Sequence, residues 1–202
     1  MGVGVYTGVG SRTTPEHILK IMRDAAAELA SGGWVLRSGA ASGADSAFEE
    51  GCDMMRGRKE IYLPFRGFNG NRSHLDAPSP EAFGLASHYH PHWHGLSSVG
   101  KRLMARNMHQ VLGADLKTQA DILICWTPDG CKSSAERSKK TGGSGQAIDL
   151  ASDRAVPVLN LFHPSHQNRL QAFVEGVLAG RAGPCMMEED VCGHTPAVGP
   201  KK

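Results

Sequence analysis

Three stretches of this chain pair glycine with small hydroxyl residues in a way that suits an anion. In Thr141-Gly142-Gly143-Ser144-Gly145-Gln146-Ala147-Ile148-Asp149, glycine fills three of four consecutive positions and an amphipathic helix follows. The backbone can turn there and approach a ligand without Cβ clashes, and the first N–H groups of the helix favour negative charge. Gly142, Gly143, Ser144 and Gly145 are therefore a candidate phosphate cradle. Asp149 lies about one helical turn further in, on a face that could look back toward the cradle, and is the first candidate for catalysis. The competing reading is a plain loop-to-helix connection with a solvated carboxylate. The second stretch is Gly8-Val9-Gly10-Ser11-Arg12, and the third is Ser38-Gly39-Ala40-Ala41-Ser42-Gly43-Ala44-Asp45. Ser11 and Ser38 could donate to phosphate or merely complete turns. Arg12 could pair with phosphate or sit solvated at the surface. Asp45 falls in the first turn of a helix, where a carboxylate suits the helix dipole with or without a ligand. Its functional alternative is a hydrogen bond to a ribose hydroxyl, with Glu49 one turn later on the same face.

His88, His90, His92 and His94 alternate strictly, so an extended segment would point all four to one side, and imidazole is a common ligand of zinc or nickel. Pro91 interrupts strand pairing and no Cys or carboxylate stands nearby at ligand spacing. The preferred reading is an insertion whose histidines and Trp93 pack against a base or against the domain, with no metal. Asp129, in Thr127-Pro128-Asp129-Gly130, reads as a turn former. No cofactor is expected.

The elements that position these residues alternate between strand and helix. Apolar runs at Val3–Thr7, Trp34–Arg37, Glu60–Pro64, Asp121–Trp126 and Val156–Leu161 predict five strands. Helices are predicted over about 16–30, with Thr14 as N-cap before Pro15, and over 44–55, 99–112, the stretch after the glycine turn, and 167–178. The repeated strand, turn and helix order implies right-handed crossovers, a mostly parallel sheet and helices on both faces, a doubly wound Rossmann-like α/β domain. Ligands in such sheets bind beyond the carboxyl ends of the strands, where the three glycine-rich loops converge. The stretch from Phe65 to Ser98 breaks the pattern, with one short helix near Pro80–Ala86, and reads as a lid-like insertion. The single domain is expected to end near residue 180, followed by a flexible tail over 181–202.

The 202 residues suit one domain with one sizeable core, and a formal net charge of +2 with no long Lys/Arg run favours a small anion over a duplex as ligand. Five cysteines without paired spacing argue against a disulfide framework, and no stretch is suited to spanning a membrane, so a cytoplasmic setting is expected.

Gly10-Ser11-Arg12 together with Ser38 to Asp45 resembles the DNA-processing protein A family and the wider SLOG superfamily that joins it to the LONELY GUY phosphoribohydrolases. The likeness runs roughly from Val3 to Leu161 and is strongest to the small DNA-processing-A-like proteins of phages and prophages. The LONELY GUY enzymes carry Pro-Gly-Gly-x-Gly-Thr followed three residues later by a catalytic Glu. Here Thr141 stands at the Pro, Gln146 at the Thr and Asp149 at the Glu. Those enzymes also use an Arg on the helix before strand four, a place open to Arg102 or Arg106. The resemblance implies recognition of a nucleoside 5′-monophosphate and hydrolysis of its base–ribose bond, that is, a nucleotide N-glycosidase; it also implies a homo-oligomer. Asp in place of Glu, and Gln in place of Thr, leave a second reading open: a non-catalytic module that senses or sequesters a nucleotide, or binds single-stranded DNA.

Overall fold

A computed structural model describes residues 3–181. The chain alternates strand and helix, with β1 (Val5–Gly8), α1 (Glu16–Ser31), β2 (Val35–Ser38), α2 (Ala44–Met54) and β3 (Lys59–Ile61) forming its first half. An insertion follows that contains α3 (Pro80–Tyr89) and leads to α4 (Ser98–Leu112). The second half is β4 (Ile122–Cys125), α5 (Gly145–Asp153), β5 (Val158–Asn160) and α6 (Pro164–Leu178). All four strand pairings are parallel and the sheet order is β3-β2-β1-β4-β5. The protein is thus an α/β Rossmann-like fold. The order reverses between β1 and β4, whose register pairs Tyr6 with Ile122 and Gly8 with Ile124.

Alternation along the strands divides the core. Tyr6, Leu36, Ile122, Ile124 and Leu159 face α1, α2 and α6, whereas Leu123 and Cys125 face the side covered by α3, α4 and α5. Most side chains of both layers are fully buried, and each large apolar side chain so buried contributes roughly 1.5–3 kcal/mol. β4 is buried on both faces, which is why its sequence reads as a continuous apolar run.

Several boundaries shift from those expected. Pro15, not Thr14, occupies the N-cap position of α1, and the Thr14 hydroxyl donates to the Ser11 carbonyl (2.7 Å) instead of capping. The helix in the insertion runs three residues past Ala86, started by the Ser79 hydroxyl, which accepts from the Ala82 amide, and by Pro80 at its first turn. The alternating histidines do not form an extended ladder. His88 lies in α3, His90 at its C-cap, and His94 in a 3-10 turn over Trp93–Gly95, so the four side chains share no face. Among the described residues no three His, Cys, Asp or Glu side chains come together as a metal site. No helix among them is long and apolar enough to cross a membrane. The insertion is anchored to the body at both ends: the Leu63 amide donates to the Leu75 carbonyl (2.7 Å), and Ala82 and Ala86 are fully buried against the α4–α5 layer. The segment expected as a tail lies outside the described residues, apart from Arg181.

Candidate functional site

A cavity of about 430 Å³ opens at the reversal of strand order, a size suited to a small-molecule ligand. Three loops frame it: Val9–Thr13 after β1, Ala41 and Ser42 after β2, and Lys140–Ser144 before α5. Its floor comes from α4 through Arg106, Asn107 and Gln110, and Asp45 closes it from α2. Phe68, Leu103 and Met104 add apolar wall.

The first two loops are built as a unit. Gly43 takes φ +85°, and a Cβ there would lie 2.7 Å from the Ser11 carbonyl oxygen and 2.9 Å from the Arg12 Cα. Glycine is thus required both by its backbone conformation and by the approach of the neighbouring loop. The Ser11 carbonyl accepts from the Thr14 hydroxyl and from the Thr14 and Ala44 amides, joining the starts of α1 and α2. The Ser11 hydroxyl is occupied locally, accepting from the Thr13 amide (3.1 Å). Ser38 does not reach the cavity. Its side chain is completely buried inside the sheet and donates to the Gly8 carbonyl (2.7 Å), because it is the last residue of β2 and points into the layer.

Asp45 and Arg106 form the buried polar centre. One amino group of Arg106 donates to the Gly39 carbonyl (2.6 Å) and to the Asp45 carboxylate (3.4 Å), and the Ala41 amide also donates to Asp45 (3.3 Å). Gly39 thus serves Arg106 with its carbonyl and with the space a side chain would fill. Burial pushes the Asp45 carboxyl above its ordinary range despite the neighbouring guanidinium, and it lowers Arg106 despite the carboxylate. Two donors in this floor, Arg106 Nε and Gln110 Nε2, are buried without an acceptor. Arg102, the alternative on α4, is exposed and does not border the cavity, since it lies one turn earlier on the helix. Glu49 faces away as well, paired with Lys59 (2.8 Å) and accepting from Asn71.

The glycine turn is positioned from two directions. The Asn107 side-chain amide donates to the Gly143 carbonyl (3.0 Å), fixing the turn to α4. Asp129, expected only to shape its own turn, accepts from the hydroxyls of Ser138 (2.5 Å) and Thr141 (2.5 Å) and so ties the end of β4 to the start of the turn. Burial works to raise the Asp129 carboxyl, but the hydroxyls of Ser138, Thr141 and Thr127 outweigh it and bring it down to about 2. Asn160 at the end of β5 anchors the same loop, donating to Thr127 Oγ1 (2.7 Å) and the Cys131 carbonyl (2.8 Å).

Asp149 does not look back into this cavity. A 3-10 turn over Gly142–Ser144 precedes α5, and the carboxylate, which does not line the cavity, pairs with Arg137. Arg137 also donates to the Tyr89 carbonyl (2.8 Å), which joins the loop before the glycine turn to α3. Burial raises the Asp149 carboxyl against the pull of Arg137. Among the described residues the cavity's cations besides Arg106 are Arg12 and Lys140, both exposed and in no ion pair there.

The fold and the cavity define a Rossmann-like protein with a small-molecule-sized site at its strand switch point. No family model matches the chain, and no curated protein matches it. Among solved structures, the molybdenum cofactor carrier protein from Chlamydomonas reinhardtii is similar at 13% identity, covering 88% of this chain and 99% of its own, with a TM-score of 0.41. At that distance the likeness carries nothing about the ligand.

Proposed function

We propose that the switch-point cavity binds a nucleoside monophosphate-like molecule. The observation that carries this reading is the polarity of the cavity: unpaired cations Arg12 and Lys140 beside the glycine turn, and the unpartnered buried donors of Arg106 and Gln110 in the floor. A phosphate suits the first group, together with the α5 N-terminus. The acceptor atoms of a sugar or base suit the second, with Phe68 and Met104 offering apolar surface to a base. The resemblance to the DNA-processing-A-like and LONELY GUY group supports the same ligand class. Two rim cations fit one phosphate better than the continuous track that single-stranded DNA requires.

A hydrolytic version of this reading moves the carboxylate. Asp45 is the carboxylate that borders the cavity, and its raised pKa suits a general acid that protonates a departing base. The test is thermal unfolding with a panel of nucleoside monophosphates, followed by chromatography for free base. A ligand at about 100 times its Kd stabilises by about 2.7 kcal/mol, and Arg12→Ala with Lys140→Ala should abolish most of that gain. Absence of stabilisation by every nucleotide overturns the binding reading. Base release by wild type and not by Asp45→Asn establishes the glycosidase; release that survives Asp45→Asn but not Asp149→Asn returns the role to Asp149.

A further inference from the structure

The main cavity does not end at the loop after β2. A second hollow of about 360 Å³ adjoins it, and Ser42 and Asn69 border both, so the two meet along those residues. Arg12 stands at the junction, since a Cβ on Gly43, the neighbour of Ser42, would lie 2.9 Å from the Arg12 Cα. Glu49, which faces away from the main cavity, borders this annex together with Ser46 and Asn71. A ligand longer than one that fills the main cavity therefore has a place to continue.

Hydrogen bonds hold the annex in shape and leave capacity for more. Asn71 Nδ2 donates to both Glu49 oxygens (3.0 and 3.2 Å) and Lys59 donates to one of them (2.8 Å). These bonds fill most, not all, of the roughly four acceptor sites of a carboxylate. Ser46 places its proton on the Ala41 carbonyl (3.0 Å), so its oxygen is left as an acceptor. Asn69 gives one carboxamide hydrogen to the Ala40 carbonyl (2.9 Å) and keeps the other. The two residues of that bond are left-handed, Ala40 at φ +56° and Asn69 at φ +50°, a conformation uncommon for residues with a Cβ and held here by their contact. Among the described residues no Lys, Arg or His lines the annex. Lys59 is shared between Glu49 and Asp53 (2.7 Å), so one cation serves two carboxylates. A second phosphate would meet net negative charge there. Neighbouring hydroxyl groups would instead donate to Glu49 and Ser46 and accept from Asn69.

We propose that the annex takes a sugar joined through phosphate to the nucleotide in the main cavity, which makes the ligand a sugar nucleotide. This rests on the nucleotide reading and extends it. Arg12 pairs with phosphate at the junction, and Glu49, Ser46 and Asn69 bind hydroxyls of the sugar beyond it.

The test is isothermal titration of the full chain with ADP-glucose, ADP-ribose, UDP-glucose and GDP-mannose, each against its nucleoside diphosphate and monophosphate. For the base that binds, at least one sugar nucleotide should bind roughly tenfold more tightly than the diphosphate, a gain that one or two net hydrogen bonds supply. Glu49→Ala and Asn71→Ala should each return that affinity to the level of the diphosphate and leave the affinity for the diphosphate itself unchanged, which also shows that the variants fold. Nucleotide binding with no gain from any sugar, or a gain that survives both variants, overturns the annex and leaves the nucleotide reading standing. Binding by none of the nucleotides overturns both.

Discussion

Gly39→Ala should cripple the polar centre although it adds one methyl group at a loop. A Cβ at Gly39 would stand 1.3 Å from Arg106 Nη1, 2.4 Å from its Cζ and 2.6 Å from Gln110 Nε2. No adjustment of a few tenths of an ångström resolves a 1.3 Å contact, so the guanidinium must leave. Leaving breaks its bonds to the Gly39 carbonyl and to Asp45 and strands the carboxyl in a site where it is only 3% exposed. Removing one partner of a buried pair costs about 3–5 kcal/mol, and protonation of Asp45 holds the loss near the lower figure. For a domain of this size about 3 kcal/mol corresponds to a fall in Tm of roughly 6–12 °C. The pH dependence has a definite sign. Asp45 already titrates above its unfolded value of 3.8, so the stability it contributes is present below that value and is lost as pH rises through the folded pKa. Removing the guanidinium raises the folded pKa further, so the gap between wild type and variant should widen from about pH 4.5 to about pH 7.5. Urea unfolding at both pH values reads this directly, and Asp45→Asn in the Gly39→Ala background should recover part of the loss. A gap below about 1 kcal/mol at the higher pH, or one indifferent to pH, refutes the assignment of Gly39 as the seat of Arg106.

Asp129→Ala should free Thr141 and Ser138 together, costing about 2 kcal/mol of stability and, by loosening the glycine turn, roughly tenfold in affinity for a cavity ligand; isothermal titration with wild-type affinity would contradict this. The His166 imidazole accepts from the Asn160 amide (2.9 Å) and is held down to about 4, chiefly by burial and then by His163. Its stabilisation is therefore present above the unfolded value of 6.5 and lost as pH falls toward 4. Denaturation midpoints should drop over that window in wild type and drop less in His166→Gln; parallel curves would remove His166 as the cause.

The sheet was readable because its signals are local. Most strands lie in short apolar runs near glycine or proline, β3 (Lys59–Ile61) starting one residue before the run expected at Glu60–Pro64, and the strand–helix alternation leaves little topological freedom. The convergence of the glycine-rich loops followed from the same rule, whereas the expectation of an arginine on α4 came from the family resemblance alone. What sequence could not supply was the roll of a helix. Which way Asp149 faces is a matter of packing around α5, and its partner Arg137 sits in a loop without periodicity. Arg102 and Arg106 are one turn apart, so only packing separates the buried one from the exposed one. Ser38 matched a phosphate donor in type but closes a strand. Asp129 had a turn signal that was correctly read and incomplete, since its hydroxyl partners lie 9 and 12 residues further on. The alternation of the four histidines makes no extended face because α3 carries its helical period through Tyr89.

The pairing of β1 with β4 has a kinetic meaning. The Val5 amide donates to the Asp121 carboxylate across 116 residues, and closing so long a loop is entropically expensive. The β1-β2-β3 half is local and can assemble early, whereas β4 and β5 must dock afterwards. The seam that closes late is the one the cavity straddles. A molecule bound there touches both halves and finds its full site only after docking. It should slow unfolding while leaving the folding rate nearly untouched, acting as a staple set once the two halves have met.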